Sequence, residues 1–92
     1  MPQVRARVLI SGVVQGVYFR AYAREEARGQ GVHGWVRNRA DGTVEAVVEG
    51  QESAVHGFIA WCHHGPPPAE VTDVQVTWES YRGEFQGFAI RG

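Results

Sequence analysis

The feature that most constrains the fold is a change of hydrophobic period within the first 28 residues. Apolar residues alternate with polar ones over residues 4–11, which predicts a strand with one buried face. Residues 21–28 are instead rich in helix formers, and helical spacing turns Phe19, Ala23 and Ala27 inward. The segment Gly12–Arg20 must therefore connect a strand directly to a helix.

The rest of the chain continues this alternation of strands and helices. Asp41-Gly42 marks a tight hairpin between two strands. Gly65 and the run Pro66–Pro68 end a second helix, because proline has no N–H group to donate a helical hydrogen bond and its ring cannot continue the helix. The predicted elements after the first helix are strands at 32–39 and 43–49, a helix at 53–64, a strand at 71–81 and a short last strand around Phe88 and Ile90.

This order predicts an α+β fold, a ferredoxin-like βαββαβ sandwich. Two interleaved βαβ units give a mostly antiparallel sheet with both helices on one face, here followed by a short extra C-terminal strand. Ninety-two residues with 43% apolar content suffice for one core. We therefore predict a single domain over residues 1–92.

Charge and composition exclude several classes of partner. The chain has nine arginines, no lysine and ten acidic residues, which gives a net charge of −1. Without a basic surface, we expect no nucleic-acid or membrane binding. Sheets that bind RNA carry aromatic side chains on a central strand, whereas strand 43–49 has Glu45 and Glu49. The single cysteine, Cys62, fits a reducing compartment, and the N-terminus lacks a signal-peptide pattern. We predict a cytoplasmic monomer.

The loop Gly12–Arg20 carries the first candidate chemistry. A glycine-flanked loop before a helix can converge several backbone N–H groups on an anion, helped by the positive end of the helix. Arg20 adds a planar fork of donors suited to phosphate. The loop matches neither the Walker A nor the Gly-x-Gly-x-x-Gly pattern. The alternative is a plain strand-to-helix turn with a solvated arginine.

Asn38 is the second candidate. It lies near the end of a strand, and its carboxamide can hold a water molecule by two hydrogen bonds. Alternatively it only shapes the turn, as asparagine often does. The run Cys62-His63-His64 matches no usual spacing of zinc ligands. Adjacent residues also point to different sides of a helix, so these three side chains would not converge on one ion. We predict no metal site.

Two segments together resemble the paired signatures of the acylphosphatase family. The first is Val14-Gln15-Gly16-Val17-Tyr18-Phe19-Arg20. The second is Gly34-Trp35-Val36-Arg37-Asn38, followed by Asp41-Gly42, Val44 and Gly50. The segment from His64 to Val71 is also similar to the family's exit from the second helix. Gln30, where leucine is common, and the ending Arg91-Gly92 depart from the family pattern.

The resemblance implies hydrolysis of an acyl phosphate to a carboxylate and inorganic phosphate, without metal or other cofactor. Asn38 would position the attacking water, and Arg20 would bind the phosphoryl oxygens together with backbone N–H groups of Gln15, Gly16, Val17, Tyr18 and Phe19. Acylphosphatase-like domains also occur in much larger carbamoyl-transferring proteins. The alternative is therefore a carbamoyl-phosphate-handling or catalytically weak phosphate-binding module of the same fold.

Overall fold

A computed structural model describes residues 2–92 and confirms the predicted order of strands and helices. The first helix begins at Phe19, two residues before the predicted start, so Arg20 lies within its first turn. No helix in the described residues is long and apolar enough to cross a bilayer. The elements are β1 Gln3–Val13, α1 Phe19–Gln30, β2 His33–Asn38, β3 Val44–Gln51, α2 Glu52–Cys62, β4 Glu70–Glu79 and β5 Phe88–Arg91.

The five strands form one sheet in the order β4-β1-β3-β2-β5. The neighbouring pairs are antiparallel except β2 with β5, which is parallel. The inward-facing residues of both helices join the same buried cluster as Ala6, Val8 and Ile10 of β1, so both helices cover one face of the sheet. The ferredoxin-like α+β prediction, with its extra C-terminal strand, is confirmed.

The face of β3 that is turned away from the helices is also buried. Glu45 and Glu49 of β3 are 7% and 3% exposed, although they point away from the helices. Arginines from the neighbouring strands cover them. Arg7 and Arg37 bind Glu45 at 2.8 and 2.7 Å, and Arg5 binds Glu49 at 3.3 Å.

Glu79 and the segment after β4 extend this ion network. Arg5 and Arg7 reach Glu79 at 2.8 and 2.9 Å, and Arg5 also contacts Glu84. Buried charges are tolerated only when they are paired and hydrogen-bonded, and here the carboxylates of Glu45, Glu49 and Glu79 each have at least two partners. Ion pairs thus link β1 to β3 and β4, and β2 to β3, across the face of the sheet that the helices leave uncovered.

Glu49 should make stability sensitive to acid. Its carboxylate accepts the backbone N–H groups of Arg82 and Glu84 at 2.8 and 3.1 Å, besides Arg5. Burial alone would raise the pKa of Glu49, but these hydrogen bonds outweigh it and lower the pKa below its ordinary value of 4.5. The stabilisation is therefore complete above about pH 4.5 and is lost as pH falls through the lower pKa of the folded protein.

We expect Glu49→Ala to lower the free energy of unfolding at pH 7 by about 1–3 kcal/mol, because Arg5 loses one partner and the N–H groups of Arg82 and Glu84 lose their acceptor. The difference from the parent should shrink as the pH falls below about 4.5 and through the lower pKa of the folded protein. Urea unfolding at several pH values measures both effects. The exposed Glu70, changed to alanine, is the control. A Glu49 variant with the parent's stability and pH dependence would contradict this assignment.

Candidate active site

At Gly12, just before β1 leads into the loop, the backbone of β1 lies very close to the backbone of β4. The register of β1 against β4 shifts between Ser11 and Gly12, and Gly12 has a φ of 123°. A Cβ at this position would collide with the carbonyl oxygen of Glu70 in β4. Glycine therefore lets β1 stay paired with β4 up to Val13 while the chain turns into the loop.

The loop that follows, residues 14–18, has an unusual backbone. Gly16 has a φ of 74°, and Tyr18 lies in the left-handed region at φ 65°, the one non-glycine residue with positive φ in the described chain. Such a conformation costs about 1–3 kcal/mol and is concentrated at functional sites. Within residues 2–92, no N–H group of residues 14–18 donates a hydrogen bond. The loop therefore presents unpaired backbone donors.

The N-terminus of α1 adds more donors beside the loop. No side chain caps this helix and its first turn holds no acidic residue, so the positive end of the helix is not neutralised. Among residues 2–92, no acidic side chain forms a salt bridge with Arg20. Phe19 anchors this end of the helix, because its buried ring packs on Trp61 at 5.2 Å and fits closely against Gly65.

Asn38 approaches from the sheet. It is the last residue of β2 and pairs with Val44 of β3. Its Oδ1 atom is buried and has no hydrogen-bond partner within residues 2–92. Since the great majority of buried polar side-chain atoms are hydrogen-bonded, this unpaired acceptor is an exception that calls for a functional explanation.

A cavity of about 370 Å³ brings these features together. Arg20 and Asn38, which come from different elements, both line it, as do the predicted residues Gly16, Tyr18 and Phe19. Gln15 and Val17, also predicted to bind substrate, are not part of the lining. The remaining walls, which the sequence did not indicate, are Val14, Ala21 and Ile90.

Two other places in the molecule lack this combination. A cavity of about 430 Å³ at the other end of the strands is lined by Glu49, whose carboxylate is already occupied by hydrogen bonds. Cys62 is fully buried, and burial raises the pKa of its thiol well above the ordinary value, which keeps it protonated. Within residues 2–92 no three His, Cys, Asp or Glu side chains are grouped to hold a metal ion.

Fold and site define a small α+β sandwich in which the unit β1–loop–α1 faces the end of β2, two strands away in the sheet. The Acylphosphatase family model matches residues 6–90. An acylphosphatase from Pelotomaculum thermopropionicum is 56% identical over 90 residues, which are 98% of both chains. The chain therefore belongs to the acylphosphatase family.

Solved structures agree with this assignment. The crystal structure of acylphosphatase from Bacillus subtilis superposes with a TM-score of 0.93 at 37% identity, over 97% of this chain and 99% of that one. Full-length HypF, in a phosphate- and nucleotide-bound form, matches with a TM-score of 0.86 at 26% identity. That match covers 99% of this chain but 12% of HypF.

Proposed function

We propose that this chain hydrolyses the carboxyl–phosphate anhydride bond of acyl phosphates, giving a carboxylate and inorganic phosphate. The observation that carries the proposal is the shared cavity of Arg20 and Asn38 at the N-terminus of α1. Membership of the acylphosphatase family supports the reaction class.

The loop and Arg20 bind the phosphoryl group. In this proposal the N–H groups of residues 15–18, which donate no hydrogen bond within residues 2–92, and the N–H of Phe19 at the start of α1 supply partial positive charges to one anion, and the dipole of α1 adds to them. The Arg20 guanidinium supplies two parallel donors and a full charge that no acidic side chain in residues 2–92 neutralises. Such fixed donors stabilise the charge on the equatorial oxygens in the transition state.

Asn38 orients the nucleophile. Its unpartnered Oδ1 accepts a hydrogen bond from a water molecule, which leaves a lone pair of that water directed at phosphorus. A bond forms between the water oxygen and phosphorus, and the bond between phosphorus and the acyl oxygen breaks with its electron pair. One proton of the water passes to a phosphoryl oxygen of the substrate. The leaving carboxylate is a weak base, so no general acid is required.

An assay of phosphate release tests this function. We expect benzoyl and acetyl phosphate to be hydrolysed at rates unaffected by a chelator, and p-nitrophenyl phosphate, a monoester, to be a far poorer substrate. Hydrolysis of carbamoyl phosphate alone would favour the carbamoyl alternative. Phosphate binding without turnover of any of the three acyl phosphates would identify a phosphate-binding module and contradict the proposal.

A further inference from the structure

We infer that Gln15 is a positioning residue whose side-chain amide fixes the phosphate loop relative to Asn38. This inference rests on the proposed function and assigns Gln15 a task different from that of its backbone N–H group. The side chain does not line the cavity. It points instead to the turn that joins β2 to β3, immediately beyond Asn38.

One nitrogen atom makes the connection. Nε2 of Gln15 donates to the carbonyl oxygens of Arg39 and Thr43, at 2.7 and 2.9 Å. The same two carbonyls close the turn, because Thr43 O accepts the N–H of Arg39 at 2.8 Å and Arg39 O accepts the N–H of Gly42 at 3.2 Å. Gln15 therefore binds both ends of the turn at once.

This hydrogen-bonded connection lies beyond the point where β1 and β3 stop pairing. Pairing between β1 and β3 stops at Ile10 and Val44, five residues before Gln15, and beyond it β1 pairs with β4 alone. In the described chain, no other hydrogen bond joins residues 14–18 to residues 39–43. Within residues 2–92, this amide is therefore the hydrogen-bonded link between the two halves of the site.

The turn itself is stiff, so it can transmit the constraint. Asp41 Oδ1 accepts the hydroxyl of Thr43 at 2.6 Å and its backbone N–H at 3.0 Å. These hydrogen bonds from Thr43 lower the pKa of Asp41 below its ordinary value. A turn held in this way moves as a unit, and Asn38 is joined to it by one peptide bond.

Two substitutions isolate the role of the amide. Gln15→Met keeps the length of the side chain and removes its donors, and Gln15→Glu replaces the donors with a charged acceptor beside two carbonyl oxygens. Each should lower kcat for benzoyl phosphate by about 10–100-fold, because a misplacement of about 1 Å can cost 10²-fold. The inhibition constant of inorganic phosphate should change by less than about threefold, since the loop N–H groups and Arg20, which bind phosphate, are still present. Gln75→Ala, an exposed amide on β4, is the control.

A double-mutant cycle with Asn38→Ala separates positioning from a general structural effect. If Gln15 acts through Asn38, adding Gln15→Met to Asn38→Ala should lower kcat by no more than about two- to threefold. The inference would be overturned if Gln15→Met lowered kcat in the Asn38→Ala background as much as it does in the parent. It would also be overturned if Gln15→Met weakened phosphate binding as much as it lowers kcat. Loss of native circular dichroism in both Gln15 variants would also overturn it, because the side chain would then be required for folding.

Failure of this inference is distinguishable from failure of the proposed function. A fully active Gln15→Met protein alongside an inactive Asn38→Ala protein would contradict only the role of Gln15. An Asn38→Ala protein with the parent's kcat would contradict the role of Asn38 itself. The two results come from the same set of variants and the same phosphate-release assay.

Discussion

Replacing Arg20 with alanine is expected to lower kcat/KM for benzoyl phosphate by about 10²–10³-fold, the usual cost of removing one preorganised charge-stabilising donor. The guanidinium lines the cavity, lies in the first turn of α1 and has no salt bridge with residues 2–92. Because no salt bridge within residues 2–92 is lost, the free energy of unfolding should change little. Steady-state phosphate release measures the rate, and urea unfolding measures the stability.

Two further variants make the result specific. Arg20→Lys keeps the charge but not the planar pair of donors, so it should remain at least about tenfold slower than the parent. Arg28→Ala removes the same charge from the last turn of the same helix, away from the cavity, and should leave kcat/KM unchanged. An Arg20→Ala protein as active as Arg28→Ala would rule out Arg20 as the phosphate ligand.

Replacing Asn38 with alanine is expected to lower kcat by about 10²-fold while leaving the inhibition constant of inorganic phosphate within about threefold of the parent. The carboxamide orients water in our mechanism and does not carry the phosphate. This separation between turnover and anion affinity distinguishes it from Arg20, whose loss should weaken both. Kinetics with inorganic phosphate as a competitive inhibitor measure the two quantities.

Asn38→Asp is the informative companion. It keeps an acceptor oxygen in place but brings a negative charge next to the phosphoryl group, so it should also be slow and should bind phosphate more weakly than Asn38→Ala. Gln75→Ala again serves as the control for loss of a surface amide. If Asn38→Ala lost phosphate affinity and turnover to the same extent, Asn38 would be a phosphate ligand and the water would require another orienting group.

Local patterns were sufficient for the framework of this fold. Period-two alternation located β1, helical spacing selected Phe19, Ala23 and Ala27 as the buried face of α1, and Asp41-Gly42 marked the hairpin. These signals are local because they depend on side-chain direction along one element. The start of α1 was misplaced because a left-handed tyrosine, Tyr18, sets it, and nothing in the sequence announces that conformation.

Features that depend on distant contacts could not be predicted in this way. Glu49 is buried because Arg5 and the backbone of the segment after β4 surround it, and these groups are 33–44 residues away along the chain. Ile90 lines the cavity only because β5 pairs with β2, an arrangement fixed by the completed sheet. The sequence motifs indicated Arg20 and Asn38 as site residues, but only the structure shows that they line one cavity.

Titration of the ¹⁵N-labelled protein with inorganic phosphate, followed by amide NMR, tests the central claim most directly. We expect the largest shifts at the backbone amides of residues 15–21 and at the side-chain amide of Asn38, and we expect Arg20→Ala to weaken the phosphate binding that causes them. Shifts centred on another part of the surface, or saturable binding that survives Arg20→Ala unchanged, would contradict it.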